Sequence, residues 1–141
     1  MSLYPPPREL ATEVFTAMPE RFRKAGESAA WVEANRPGER LGSFLEGPSF
    51  DRAGRLYVTD IPYGRVFRIS PAGDWELVAD YDGWPNGLKI HKDGRVFIAD
   101  HRRGIMALDP ESGAVTPVLT HRRSESFKGV NDLIFDRAGR L

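Results

Sequence analysis

The chain has 141 residues, with 20 basic side chains balancing 20 acidic ones, and no cysteine. Zero net charge excludes the broad positive field that gathers nucleic acid or anionic membrane surface. The missing cysteine excludes disulfide frameworks, thiolate metal sites and cysteine nucleophiles.

No apolar run approaches the ~18 residues of a membrane span, and no charged-then-apolar signal opens the chain. The composition therefore predicts a soluble, cytoplasmic protein with no nucleic-acid and no membrane partner. Pro5, Pro6 and Pro7 favour an extended arm. Leu10, Val14 and Met18 recur every fourth residue, which predicts a short helix from Glu9 to about Met18, stopped by Pro19. Residues 28–35 predict a second short helix, with Ser28 as N-cap and Asn35 as C-cap before Pro37 and Gly38. Residues 1–41 thus form a helical lead-in, with Phe22 and Trp31 as packing anchors rather than ligand contacts.

From Phe44 the period changes to that of strands. Four are predicted to Phe50, over 56–60, over 65–70 and over 75–80, joined by turns at 51–54, 61–64 and 71–73. The pattern then repeats, with strands near 86–91, 95–100, 104–109 and 114–120 and turns at 92–94 and 110–113. A third copy opens at Asn131 and reaches Leu141. Each copy starts with a polar residue (Glu46, Asn86, Asn131) and carries a turn glycine eight positions later (Gly54, Gly94, Gly139). A four-strand unit repeated every 40 to 45 residues or so is the content of a propeller blade. The fold class is all-β, with blade 1 at about 42–83, blade 2 at about 84–128 and the opening strand of blade 3 at 129–141. Leu141 stands where Leu56 stands in the first copy, inside a strand. The expectation is an N-terminal portion of a longer propeller, inactive on its own.

The first strand of each blade lines a propeller's central channel, so equivalent openers converge on one axis. Glu46, Asn86 and Asn131 would bring a carboxylate and two amides together, a hard-oxygen set suited to Ca²⁺, Mg²⁺ or Mn²⁺ and able to hold Zn²⁺. The residues equally permit Asn-Gly and Asn-Asp to be plain turn formers between blades. His91, His101 and His121 fit no zinc spacing, and no G-x-S-x-G elbow is present, so surface or strand-edge roles are expected for them. His101-Arg-Arg103 reads as a solvated loop in which Arg102 or Arg103 has reach toward an anionic substrate. Asp60 and Asp100 end equivalent strands and are expected to cap the turns that follow.

As a set, these motifs resemble the gluconolactonase and regucalcin (senescence marker protein) family. The match runs over 42–141 through Glu46-Gly-Pro48, Asp51-x-x-Gly54-x-Leu-Tyr-Val-x-Asp60, Trp84-Pro-Asn-Gly-Leu88 and Gly129-Val-Asn-Asp-Leu133. The resemblance implies a six-bladed propeller that hydrolyses a sugar or small-acid lactone with one divalent cation, Ca²⁺, Zn²⁺, Mn²⁺ or Mg²⁺. It implies Glu46 and Asn131 as metal ligands and Asn86 and Asn131 as substrate contacts, to which the reading of the basic loop adds Arg103. It also implies that the aspartate serving as catalytic base lies beyond Leu141. The alternative is a non-enzymatic propeller used for interaction or metabolite binding. A polar Glu46 on the axis, which a scaffold does not need, speaks against it. The residues leave the oligomeric state open.

Overall fold

A computed structural model describes residues 4–24 and 29–141. Two sheets of four antiparallel strands follow each other along the chain. The first holds β1 (Leu45–Phe50), β2 (Leu56–Asp60), β3 (Arg65–Ile69) and β4 (Trp75–Asp80), paired in sequence order. The second holds β5 (Pro85–Ile90), β6 (Val96–Asp100), β7 (Gly104–Leu108) and β8 (Val115–Leu119), paired the same way. All eight agree with the strands expected from the repeat. They are consecutive partial-propeller blades, with β1 lying alongside β5.

The turns explain the repeat's glycines. Asp51 Oδ1 accepts from the backbone N–H of Ala53 and Arg55, both at 2.9 Å, and Gly54 takes φ 76°. Asp136 does the same for Ala138 and Arg140 in the third copy. Left-handed backbone at this position favours glycine, and the aspartate satisfies the donors of the tight turn.

Side chains alternate between two covered faces. Tyr57 and Val66 of the first sheet meet Leu88, Val96, Ile98 and Leu108 of the second, forming the largest core between the blades. Val58, Phe67, Ile69 and Trp75 point the other way, onto Met18 and Phe22 of the lead-in. The far side of the second sheet, Phe97, Ala99 and Ile105, is covered by Leu133 and Phe135 of the third copy.

The structure corrects three expectations. No helix forms between Glu9 and Met18; only a 3-10 turn at Glu20–Phe22 follows Pro19. Leu10 and Val14 are 70% and 84% exposed, so a helix there has no surface for its apolar stripe, and so short a helix is marginal by itself. Instead the segment is tied to the blade: the Thr16 hydroxyl donates to the Gly73 carbonyl and accepts from Trp75 Nε1, each at 3.1 Å. Second, residues 129–135 form no strand, because no neighbouring strand of the third unit pairs with them among the described residues. Third, a two-residue hairpin not foreseen in the sequence, β9 (His121–Arg122) with β10 (Glu125–Ser126), stands between the second and third copies.

The second lead-in helix, α1 (Ala30–Asn35), is present. Its expected N-cap, Ser28, lies outside the described residues. At the other end the C-cap is Arg36 rather than the expected Asn35, which is the last helical residue and donates its side-chain amide to the Trp31 carbonyl at 2.8 Å. Trp31 and Val32 are buried against Ile61, so Trp31 is the packing anchor expected of it.

Candidate functional site

The ladders place Glu46, Asn86 and Arg103 toward one end of the sheets. Leu45 pairs with Asp60 and Asp60 with Arg65; in the second blade Pro85 pairs with Asp100 and Asp100 with Gly104. Strand openers, inter-blade connections and the loops after each second strand therefore share a rim.

At that rim each first strand is bulged. Glu46 pairs with Thr59 and Ser49 with Tyr57, so Gly47 and Pro48 stand against Val58 alone. Pro85 pairs with Asp100 and Leu88 with Ile98, so Asn86 and Gly87 stand against Ala99 alone. A bulge of this kind re-aims neighbouring side chains and recurs beside functional sites. Glycine is required there for space. A Cβ on Gly47, at φ 58°, would run into the Asn86 carbonyl, and one on Gly87 would lie 2.8 Å from the Asn131 carbonyl oxygen.

The openers are stitched together through these close approaches. Thr59 Oγ1 donates to the Asn86 carbonyl and Gly87 N–H to the Asn131 carbonyl, both at 2.7 Å. Asn86 Nδ2 donates to Asn131 Oδ1 at 2.8 Å. The structure thus brings Asn86 and Asn131 side by side, with Glu46 on the adjoining strand. The Glu46 carboxylate is exposed and takes no hydrogen bond or ion pair among the described residues.

This donor set, one carboxylate with amide oxygens, fits part of a hard-cation shell. It is not a cluster of anionic ligands: among the described residues, no group of three or more His, Asp or Glu side chains is placed to hold a metal. Glu46 and the Asn131 amide oxygen, which keeps a second lone pair, are the groups that would hold one.

Arg103 is placed differently. Its guanidinium binds the Asp82 carboxylate and backbone carbonyl, while Arg102 Nη1 reaches Asp82 Oδ1 at 2.7 Å and its guanidinium lies over Trp84. The Arg103 hydrogen bond, then the Arg102 charge, hold the Asp82 carboxyl below the usual carboxylate range. Arg103 is on the same rim as the openers, but its fork is turned to Asp82 and not to them. His121 is exposed, in keeping with the surface role expected of the histidines, and His101 lies beside Trp84, whereas His91 is more enclosed, packing edge-on against Phe135 and Phe97.

Asp100 caps its turn as expected, accepting from Arg102 and Arg103 N–H at 2.8 and 2.9 Å. Asp60 does not. Its Oδ1 accepts from Ser43 Oγ and Phe44 N–H, and its Oδ2 from the Arg65 fork. Arg65, only 3% exposed, supplies a stronger donor than the turn offers. Tyr81 was not singled out in the sequence; its hydroxyl donates to Asp100 Oδ2 at 2.8 Å. Burial, then the Asp100 charge, push the Tyr81 phenol well above its ordinary value. Thr59 was missed as well, since nothing local marks a strand threonine as a link between blades.

Comparison with known proteins gives a consistent result. A family model described as "SMP-30/Gluconolactonase/LRE-like region" matches residues 44–141. The lactonase drp35 of Staphylococcus aureus (strain USA300) is 32% identical over 117 residues, covering 77% of this chain and 34% of the relative. Its counterpart from Staphylococcus epidermidis (strain RP62A) is 29% identical over 117 residues, with the same coverage. A solved gluconolactonase of Xanthomonas campestris superposes with a TM-score of 0.63 at 24% identity, over 69% of this chain and 33% of that one. This likeness shows the fold. The chain spans about a third of the length of the curated relatives it matches. Among the described residues, no helix is long and apolar enough to cross a membrane.

Proposed function

Because the chain belongs to the SMP-30/gluconolactonase/LRE-like family, we propose that it supplies the first blades of a metal-dependent propeller that hydrolyses a sugar or small-acid lactone. The observation that carries this reading is the meeting of Glu46, Asn86 and Asn131 on one rim, with Asn86 and Asn131 hydrogen-bonded at 2.8 Å. Two blades in a chain covering 34% of its relatives are in keeping with a ring of six.

A divalent cation at such a site polarises a carbonyl and lowers the pKa of bound water. Glu46 and Asn131 are the residues here that would hold it. Asn86, held by Thr59 and Asn131, would hydrogen-bond a lactone oxygen and orient the ring. Arg103 would meet the substrate at the rim only by turning its guanidinium away from Asp82. The base that takes the proton from water is assigned to no residue of this chain.

The test is calorimetric titration of the full-length protein with Mn²⁺, beside hydrolysis of a panel of sugar γ- and δ-lactones. Glu46→Gln should bind Mn²⁺ about tenfold more weakly or worse, because the charge of the ligands sets affinity at oxygen-donor sites. Equal affinities would remove Glu46 from the metal site. Metal binding without turnover of any lactone would favour the binding-module alternative.

A further inference from the structure

Two fully buried carboxylates, Asp60 and Asp100, make the same unexpected contact in successive blades. Asp60 Oδ1 accepts the N–H of Phe44 at 2.8 Å, and Asp100 Oδ2 accepts the N–H of Trp84 at 3.0 Å. Phe44 and Trp84 each stand two residues ahead of an opener, Glu46 and Asn86. The return bond also repeats. The residue after each aspartate donates back to the same position, Ile61 N–H to the Phe44 carbonyl at 3.1 Å and His101 N–H to the Trp84 carbonyl at 2.9 Å. Beyond the opener lies the glycine bulge. Each opener is therefore held on both flanks, by a buried carboxylate on one side and a steric fit on the other.

Neither carboxylate touches the openers, so neither is a candidate ligand. Each is itself held in place. Asp60 is gripped by Arg65, whose Nη1 donates to the Phe22 carbonyl at 2.7 Å, and by Ser43 Oγ. Asp100 is gripped by Tyr81 and by two backbone donors of the Arg102–Arg103 turn. We infer that Asp60 and Asp100 are positioning residues that aim the Glu46 and Asn86 side chains at the rim, through the backbone of Phe44 and Trp84. The role of the openers rests on the lactonase reading; the positioning does not.

The experiment uses the full-length protein with ¹⁵N-labelled asparagine, and the variants Asp60→Asn and Asp100→Asn. The control is Leu108→Ala, a buried change at the opposite end of β7. The readouts are the Asn86 side-chain carboxamide resonance, Mn²⁺ affinity by calorimetry, and kcat and KM on a lactone. Asp100→Asn should displace the Asn86 carboxamide resonance and raise KM more than kcat falls. Asp60→Asn should weaken Mn²⁺ about 10- to 100-fold, the range typical of groups that orient a ligand without binding metal. Leu108→Ala should leave the resonance and the affinity in place despite its loss of stability. If an asparagine variant fails to fold, Tyr81→Phe and Arg65→Lys loosen the two carboxylates more gently and should move the same readouts in the same direction.

The two ideas fail separately. Metal-binding, lactone-cleaving wild type with aspartate variants indistinguishable from Leu108→Ala would overturn the positioning and leave the lactonase reading standing. An Asn86 resonance that shifts in Asp100→Asn, in a protein that binds no Mn²⁺, would support the positioning and sink the metal site.

Discussion

Gly87→Ala tests whether the openers are packed as closely as the structure has them. A Cβ at this position lies 2.7 Å from Asp132 Cα and 2.8 Å from the Asn131 carbonyl oxygen. Both are backbone atoms and cannot swing aside. Restoring a carbon–carbon contact of ~3.5 Å requires the third copy to retreat by about 0.8 Å. That retreat stretches the Gly87 N–H to Asn131 bond from 2.7 Å out of hydrogen-bonding range and pulls Asn131 away from Asn86. Overpacking costs about 1–3 kcal/mol, and the lost bond adds about 1 kcal/mol. The expected destabilisation of the full-length protein is therefore roughly 2–4 kcal/mol. Urea unfolding followed by circular dichroism measures it. Gly94→Ala is the comparison: nothing lies within 4 Å of its Cβ, so only the strain of φ 93° remains, about 1 kcal/mol. Gly87→Ala no more costly than Gly94→Ala would refute the close approach, and with it the convergence of the openers.

Asn86→Ala should raise KM on a lactone while leaving Mn²⁺ affinity nearly unchanged; a parallel loss of metal binding would make Asn86 a ligand. Met18→Ala empties a buried position among Val58, Phe67 and Trp75 and should cost about 2–5 kcal/mol, read from urea midpoints and the emission of Trp75. A neutral result would mean that the lead-in does not cover the first blade in solution. The Tyr81 phenol, raised by burial and by Asp100, is protonated in the folded protein where an unfolded tyrosine ionises. Its contribution is complete below about pH 10 and is lost as pH climbs beyond it, so Tyr81→Phe should flatten the alkaline limb of a stability–pH curve. Identical limbs would place the phenol in water.

The strands were legible because their punctuation is local. Asp51 and Gly54 act within five residues, and apolar alternation shows both faces of β2 at once. The openers were legible because repetition put them in register. What lay hidden depends on distant partners. The spacing of Leu10, Val14 and Met18 suits a helix, but Gly73 and Trp75, more than fifty positions away, offer Thr16 and Met18 a better arrangement. Asp60 and Asp100 look alike in sequence, yet only one has an arginine five residues on to claim its second oxygen. Arg103 showed its charge but not its partner, because Asp82 sits twenty-one residues earlier in another loop.

The lead-in has a consequence for the order in which the protein is made. Met18 and Phe22 leave the ribosome before any strand of the first blade, and they cover its outward flank. The inward flank is covered by the second blade, which is the next to emerge. Among the described residues, those that cover the two faces of the first blade are thus synthesised before it or directly after it. Both faces can therefore be covered by neighbouring segments of this chain as they emerge during translation.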